Sequence, residues 1–163
     1  IVHPTNPIEN LTMAQLKDIY TGKITSWDKI EKSQQPIVVV SREKGSGTGK
    51  SFEDIVLRNE RLVGTAIFQD SNGTIRETVK TIPNAIGYIF MGLLTNDVKP
   101  VKIDNIPATI ENVKTGKYLI KNKVFLIMKK NSYENNKNIK QFIDYILGPG
   151  QGIIAKEGLV TIQ

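Results

Sequence analysis

Hydrophobic positions along the 163-residue chain change period several times, and each change marks an element. Ile1-Val2-His3 is strand-like and runs into Pro4 and Pro7, which hold the chain extended. Thr12 then carries the signature of a helix N-cap. Gln15 stands three residues on as the capping-box partner, and Leu11 and Leu16 have the spacing of a hydrophobic staple. This helix is predicted to reach Tyr20 and to stop at Gly22, with Ile24 and Trp27 in a following loop packed against it. Pro36 opens Ile37-Val38-Val39-Val40, a continuous β-branched run that reads as a buried strand. The run gives way to Ser41-Arg42-Glu43-Lys44-Gly45-Ser46-Gly47-Thr48-Gly49-Lys50 and then to a helix through Phe52, Ile55 and Val56.

Farther along, the pattern predicts a helix over 74–81, a strand over 86–90, a charged β-like run over 98–103 and a short helix over 108–114. Residues 118–129 alternate and then become apolar through Val124-Phe125-Leu126-Ile127-Met128, a second good strand. A final amphipathic helix places Ile139, Phe142, Ile143 and Ile146 on one face. It breaks at Gly148-Pro149-Gly150, restarts toward Ile154, and is followed by a short strand over 159–162. There is no internal repeat and no flexible linker. The alternation of strands and helices predicts an α/β fold.

Composition narrows the chemistry. Hydrophobic residues make up 39% and charged residues 23%, a globular balance rather than a disordered one. The absence of Cys excludes a disulfide scaffold, thiolate zinc sites and thiol catalysis. One histidine, His3, gives no basis for a Ser-His-Asp triad or a multi-histidine metal site, so neither metal, cofactor nor enzymatic activity is expected. The net charge of +6 favours an anionic partner. The lysines never run five together and no RNA-binding aromatic motif is present, so nucleic acid is not expected. No stretch approaches the roughly 18–20 apolar residues of a membrane span. The chain starts at Ile1 without an initiator Met or secretory signal, and it is read as a processed or cut piece of something longer.

The segment from Arg42 to Lys50 is the most informative. A glycine loop between a strand and a helix turns backbone N–H groups toward a ligand, and the helix N-terminus adds partial positive charge. Ser46 and Thr48 add hydroxyl donors, and Arg42 offers a planar fork of N–H groups to a tetrahedral oxyanion. The plainer reading is a tight turn with Thr48 as helix cap. A rival uses residues 45–51 as a nucleotide-binding P-loop, although the first glycine of that pattern falls on Lys44, and Asp70 is the best candidate for its acidic partner. Elsewhere the bland readings prevail. Trp27 is a packing anchor, His3 a strand-end residue, Lys50 a solvated first-turn residue and 129–140 a solvated loop and helix start. Glu43 is a proton acceptor or simply an exposed loop carboxylate.

The segment from Ile37 to Thr48 resembles the phosphate-binding loop of the PstS-type phosphate-binding proteins of ABC transporters. Asn6-Pro7-Ile8-Glu9-Asn10-Leu11-Thr12, Tyr20-Thr21-Gly22-Lys23-Ile24-Thr25-Ser26-Trp27, Ala85-Ile86-Gly87-Tyr88 and Gly150-Gln151-Gly152-Ile153-Ile154 resemble that family's other landmarks, in its order. The resemblance implies a periplasmic-binding-protein-like (type II) α/β lobe with a mixed central sheet flanked by helices. It further implies that Arg42, Ser46, Gly47 and Thr48 are phosphate ligands. The expected organisation is a second lobe at 1–117 carrying the loop, then a returning crossing strand and the C-terminal helices of an incomplete first lobe at 118–163. The implied role is capture of inorganic phosphate outside the cytoplasm and its delivery to a membrane permease, by a protein lipid-anchored through an absent N-terminal segment. Relatives carry a further N-terminal stretch forming the other wall of the site, so self-association through the uncovered surface is expected. The loop departs from the family pattern at Lys44, where some members are acidic, and at Gly49, where many have Arg.

Overall fold

Strand β2 (Val38–Arg42) lies between two parallel neighbours, β3 (Ile67–Gln69) and β4 (Ala85–Ile86), in the order β3-β2-β4. In this computed structural model, which describes residues 1–31 and 35–162, the chain forms two units, Ile1–Lys121 and Asn122–Gln163. Register in the sheet pairs Val40 with Ile67 and Arg42 with Gln69 on one side of β2, and Val39 with Ile86 on the other. Helix α2 (Gly47–Phe52) connects β2 toward β3, and α3 (Asn72–Thr81) connects β3 to β4. A second parallel pair, β1 (Asn10–Leu11) with β5 (Lys102–Ile103), completes the sheets. The mixed character expected of the sheet resides in single antiparallel bridges, of which Val2 makes two, to Ile86 and Lys99.

The local signals explain most of the helices. Thr12 caps α1 (Met13–Tyr20) in a full capping box: its hydroxyl accepts from the Gln15 amide at 3.1 Å, and Gln15 Oε1 accepts from the Thr12 amide at 2.8 Å. Helix α1 buries Leu16, Ile19 and Tyr20. Ser71 caps α3 in the same manner with Thr74, and Ile75 and Val79 go fully into the core. Trp27 is an interior anchor, as its plain reading has it: it is buried, and its indole N–H donates to the Asn84 carbonyl at 3.2 Å. Helix α4 (Ile110–Lys114) ends this series, capped by Thr109. The second unit holds α5 (Ser132–Asn135), α6 (Lys137–Leu147) and α7 (Gln151–Lys156), with the break between the last two at Gly148-Pro149-Gly150.

Four expected strands fall short. Residues 86–90 contribute only Ile86 to a ladder, because at Gly87 the backbone leaves β2 and exchanges hydrogen bonds with Ile1 instead. The run at 98–103 is regular only at its last two residues. Residues 118–129 and 159–162 join no ladder. A strand that is apolar on both faces needs paired neighbours and cover on each side. The described residues of the second unit contain no other strand, and Val124, Phe125 and Ile127 are 81%, 73% and 94% exposed.

Candidate anion-binding site

Arg42 is the last residue of β2, and Glu43 to Ser46 turn the chain directly into α2. Gly45 takes φ +97°, the left-handed conformation that glycine adopts without a Cβ penalty, and nothing lies within 4 Å of where a Cβ would sit. The turn closes with the Ser46 amide donating to the Glu43 carbonyl at 3.2 Å. Ser46 is therefore the N-cap of α2, its hydroxyl oxygen accepting from the Gly49 amide at 3.2 Å. The cap is thus Ser46 rather than the expected Thr48, and the Ser46 amide is spent inside the turn.

What remains is a narrower donor set. The amides of Gly47 and Thr48 open α2, where the helix has no acceptor for them, and no acceptor faces them among the described residues. The Thr48 hydroxyl likewise has no protein partner among the described residues, and the Ser46 hydroxyl still has its own proton to give. Gly49 is buried against the strand end: a Cβ there would lie 3.0 Å from Arg42 Cβ and 3.4 Å from Ser46 Cβ. The donors of α2 and the stem of Arg42 thus pack on one another.

The Arg42 guanidinium is held on one edge. Its Nε donates to Glu43 Oε2 and its Nη2 to Glu43 Oε1, both at 3.0 Å, and Nη2 also donates to the Asp70 carbonyl at 2.9 Å. A guanidinium has five N–H groups, so three are used and the two on Nη1 stay available. The fork expected to meet an oxyanion is occupied by a carboxylate of the same chain. Glu43 does not simply face solvent: its side chain is 41% exposed against 12% for Arg42, and the hydrogen bond from Arg42 holds its carboxyl below the usual range.

Two groups outside the expected set position this corner. The Gln69 carbonyl at the end of β3 accepts the Glu43 amide at 3.1 Å, one residue before the Asp70 carbonyl that accepts from Arg42. Tyr88 Oη accepts the Arg42 amide at 3.2 Å and lies 3.0 Å from Ser41 Oγ. Burial pushes the Tyr88 phenol above its ordinary range, so it stays protonated. Asp70 was legible only as the acidic partner of the rival P-loop reading and Tyr88 only as a landmark. Their geometry requires the pairing of β2 with both neighbours, which is not a local signal.

The arrangement offers donors and positive charge, with no nucleophile–base pair, and no metal-holding cluster occurs among the described residues. His3 lies apart and bonds Thr5 Oγ1 through Nδ1 at 2.8 Å. The P-loop reading is not supported. Lys50 is paired with Asp54 along the helix surface, and the Asp70 carboxylate accepts from Thr74 Oγ1 at 3.0 Å within the α3 cap.

A glycine turn at the carboxyl edge of a parallel sheet, opening beside an arginine a helix whose first amides have no partner among the described residues, makes this an α/β lobe with a donor set suited to an oxyanion. The chain belongs to the PBP superfamily, whose domain model matches residues 1–149. It is 29% identical to the phosphate-binding protein PstS of Bacillus subtilis over 99% of its length, and 35% identical over 83% of its length to PstS 2 of Streptococcus agalactiae. The chain spans 53% and 49% of those two relatives. Among solved structures, it matches a protein described as a phosphate ABC transporter substrate-binding protein with bound phosphate, from Clostridium perfringens. The TM-score is 0.89 at 42% identity, covering 100% of this chain and 67% of that one. An ABC-type phosphate transport receptor from Vibrio cholerae matches with TM-score 0.82 at 26% identity.

Proposed function

We propose that this chain carries one wall of the phosphate site of a solute-binding protein that serves an ABC transporter. Arg42, Ser46, Gly47 and Thr48 are the ligands on this wall. The observation that carries the reading is the pair of amides at Gly47 and Thr48 beside the two N–H groups of Arg42 Nη1, none of which has a partner among the described residues. Together they present fixed donors to a small oxyanion, and the structural relative crystallised with phosphate is 42% identical to this chain over the aligned residues.

The remaining wall belongs to a further segment of the kind that makes the relatives longer. In that organisation residues 1–117 are the loop-bearing lobe, and 118–163 supply a crossing strand and helices to the other. The complete protein works outside the cytoplasm, anchored by lipid, and hands phosphate to a membrane permease. No helix of the described residues is long and apolar enough to cross the membrane itself. Taken alone, the chain self-associates through the apolar run at 124–128.

A strongly hydrated dianion needs its water shell replaced from both sides, and an open wall leaves charged contacts at roughly 0–1 kcal/mol each. Calorimetry with inorganic phosphate is therefore expected to give millimolar or weaker binding for this chain, and far tighter binding when it is joined to the missing wall. Micromolar binding by the monomeric chain would show the site complete as it stands. Magnesium-dependent ATP binding that survives excess phosphate would overturn the reading.

A further inference from the structure

We infer that the Tyr88 hydroxyl is a positioning group for the anion site, fixing the strand end that bears Arg42 relative to the helix that bears the free amides. This rests on the phosphate reading for its functional consequence and on geometry for its existence.

In the β2–β4 ladder the last paired residues are Val39 and Ile86. Beyond them β4 departs. Gly87 donates to the Ile1 carbonyl at 3.0 Å and accepts from Ile1 N at 2.8 Å, so its backbone is no longer available to β2. Helix α3 fixes that departure, since a Cβ on Gly87 would lie 2.7 Å from Ile75 Cγ2 and 2.9 Å from Val79 Cγ2. The Arg42 amide on the β4 side is thus left without a backbone carbonyl. The side chain of the next residue supplies the acceptor: Tyr88 Oη at 3.2 Å.

The same side chain reaches the helix. The Tyr88 ring stacks on Phe52, the last residue of α2, with centroids 3.9 Å apart and planes 4° from parallel. Tyr20 closes the cluster, 4.6 Å from Phe52 and 5.9 Å from Tyr88. At the other end of α2, an added Cβ on Gly49 would lie 3.5 Å from Tyr88 Oη. One side chain therefore bonds the residue that carries the guanidinium, stacks on the last residue of α2, and stands over Gly49 in that helix's first turn. It need not contact phosphate. Its role is to set the spacing between donors on two elements, where sub-ångström placement decides whether both reach one ligand.

The test uses Tyr88→Phe in this chain, which keeps the ring and its stacking and removes only the oxygen. Amide hydrogen exchange by NMR without phosphate is expected to accelerate at Arg42 by at least tenfold while Val40 is unchanged and the urea midpoint moves little. A general loss of structure would not show that selectivity. Titration with inorganic phosphate, followed at the Gly47 and Thr48 amides, is expected to show a five- to tenfold weaker response than wild type. Unchanged Arg42 exchange overturns the inference. So does unchanged phosphate affinity beside a responsive wild type. Should this chain alone be too weak to respond, the titration is repeated with the chain joined to the missing wall, where no response to phosphate defeats the phosphate reading, and Arg42 exchange still decides the positioning bond. If Tyr88→Phe does not fold, 3-fluorotyrosine incorporation, which weakens the phenol oxygen as an acceptor, is expected to raise Arg42 exchange two- to threefold; no change counts against the bond.

Discussion

Arg42 and Glu43 are chain neighbours whose side chains meet edge to edge, with Nε–Oε2 and Nη2–Oε1 both at 3.0 Å. Along a strand, consecutive side chains point to opposite faces. The meeting is possible because β2 ends at Arg42 and the turn through Gly45 swings Glu43 back over the guanidinium. The proposed anion site is thus built around an arginine already paired within its own chain, oriented by Glu43 and the Asp70 carbonyl, with Nη1 unpartnered among the described residues.

Replacing that arginine removes the only guanidinium at the loop. Arg42→Ala is expected to cost about 1.5–3 kcal/mol of phosphate binding in the complete, desolvated site, roughly 10- to 150-fold in Kd. Calorimetry on the two-walled protein measures it, and unchanged affinity would remove Arg42 from the ligand set.

Glu43→Gln acts differently. It keeps the size of the side chain, leaves one acceptor for Arg42 in place of two, and deletes the charge that offsets the guanidinium. The pair is partly exposed, so solvent screens it and its electrostatic effect is small. Phosphate and sulfate affinities are both expected to rise, by no more than about fivefold, with their ratio preserved. A proton acceptor for hydrogen phosphate then lies in the other wall. Collapse of phosphate-over-sulfate discrimination in this variant would assign that acceptor to Glu43.

The aromatic cluster gives an alkaline signature. Burial raises the phenols of Tyr20, Tyr88 and Tyr118 above tyrosine's ordinary value of about 10. For such acids the folded state favours the protonated form. Their contribution to stability is complete below the unfolded value and is lost as pH rises through the folded values. Absorbance titration at alkaline pH is expected to show tyrosines that ionise late and together with loss of near-ultraviolet circular dichroism. Early, independent ionisation of all five tyrosines would contradict the packing.

The apolar run at 124–128 predicts concentration-dependent association of this chain. Sedimentation velocity is expected to show oligomers that diminish when Phe125 and Ile127, both strongly exposed, are replaced by lysine. A wild-type chain that stays monomeric at high concentration would refute the association.

These features were unequally legible in the sequence. The capping box of Thr12 and Gln15 and the strand–glycine–helix order were plain because each is encoded within a few residues. Residues 118–129 form no ladder here because their pattern describes a buried strand, and pairing partners for it are not found among the described residues. Ser46 and Thr48 are equally good caps by composition. The left-handed Gly45 decides between them by setting where α2 starts. Tyr88, Gln69 and Asp70 were out of reach because their bonds to residues 41–43 exist only once three strands have assembled.

That assembly bears on how far the loop can travel. Residues 41–49 are contiguous and invite excision as a peptide or grafting onto another scaffold. Yet the Arg42 amide is fastened 46 residues away at Tyr88, and its guanidinium leans on a carbonyl 28 residues away at Asp70. An isolated loop would keep its sequence and lose its spacing. A working transplant has to carry three separate pieces of chain, the β2–α2 turn, the end of β3 and the Gly87-Tyr88 step.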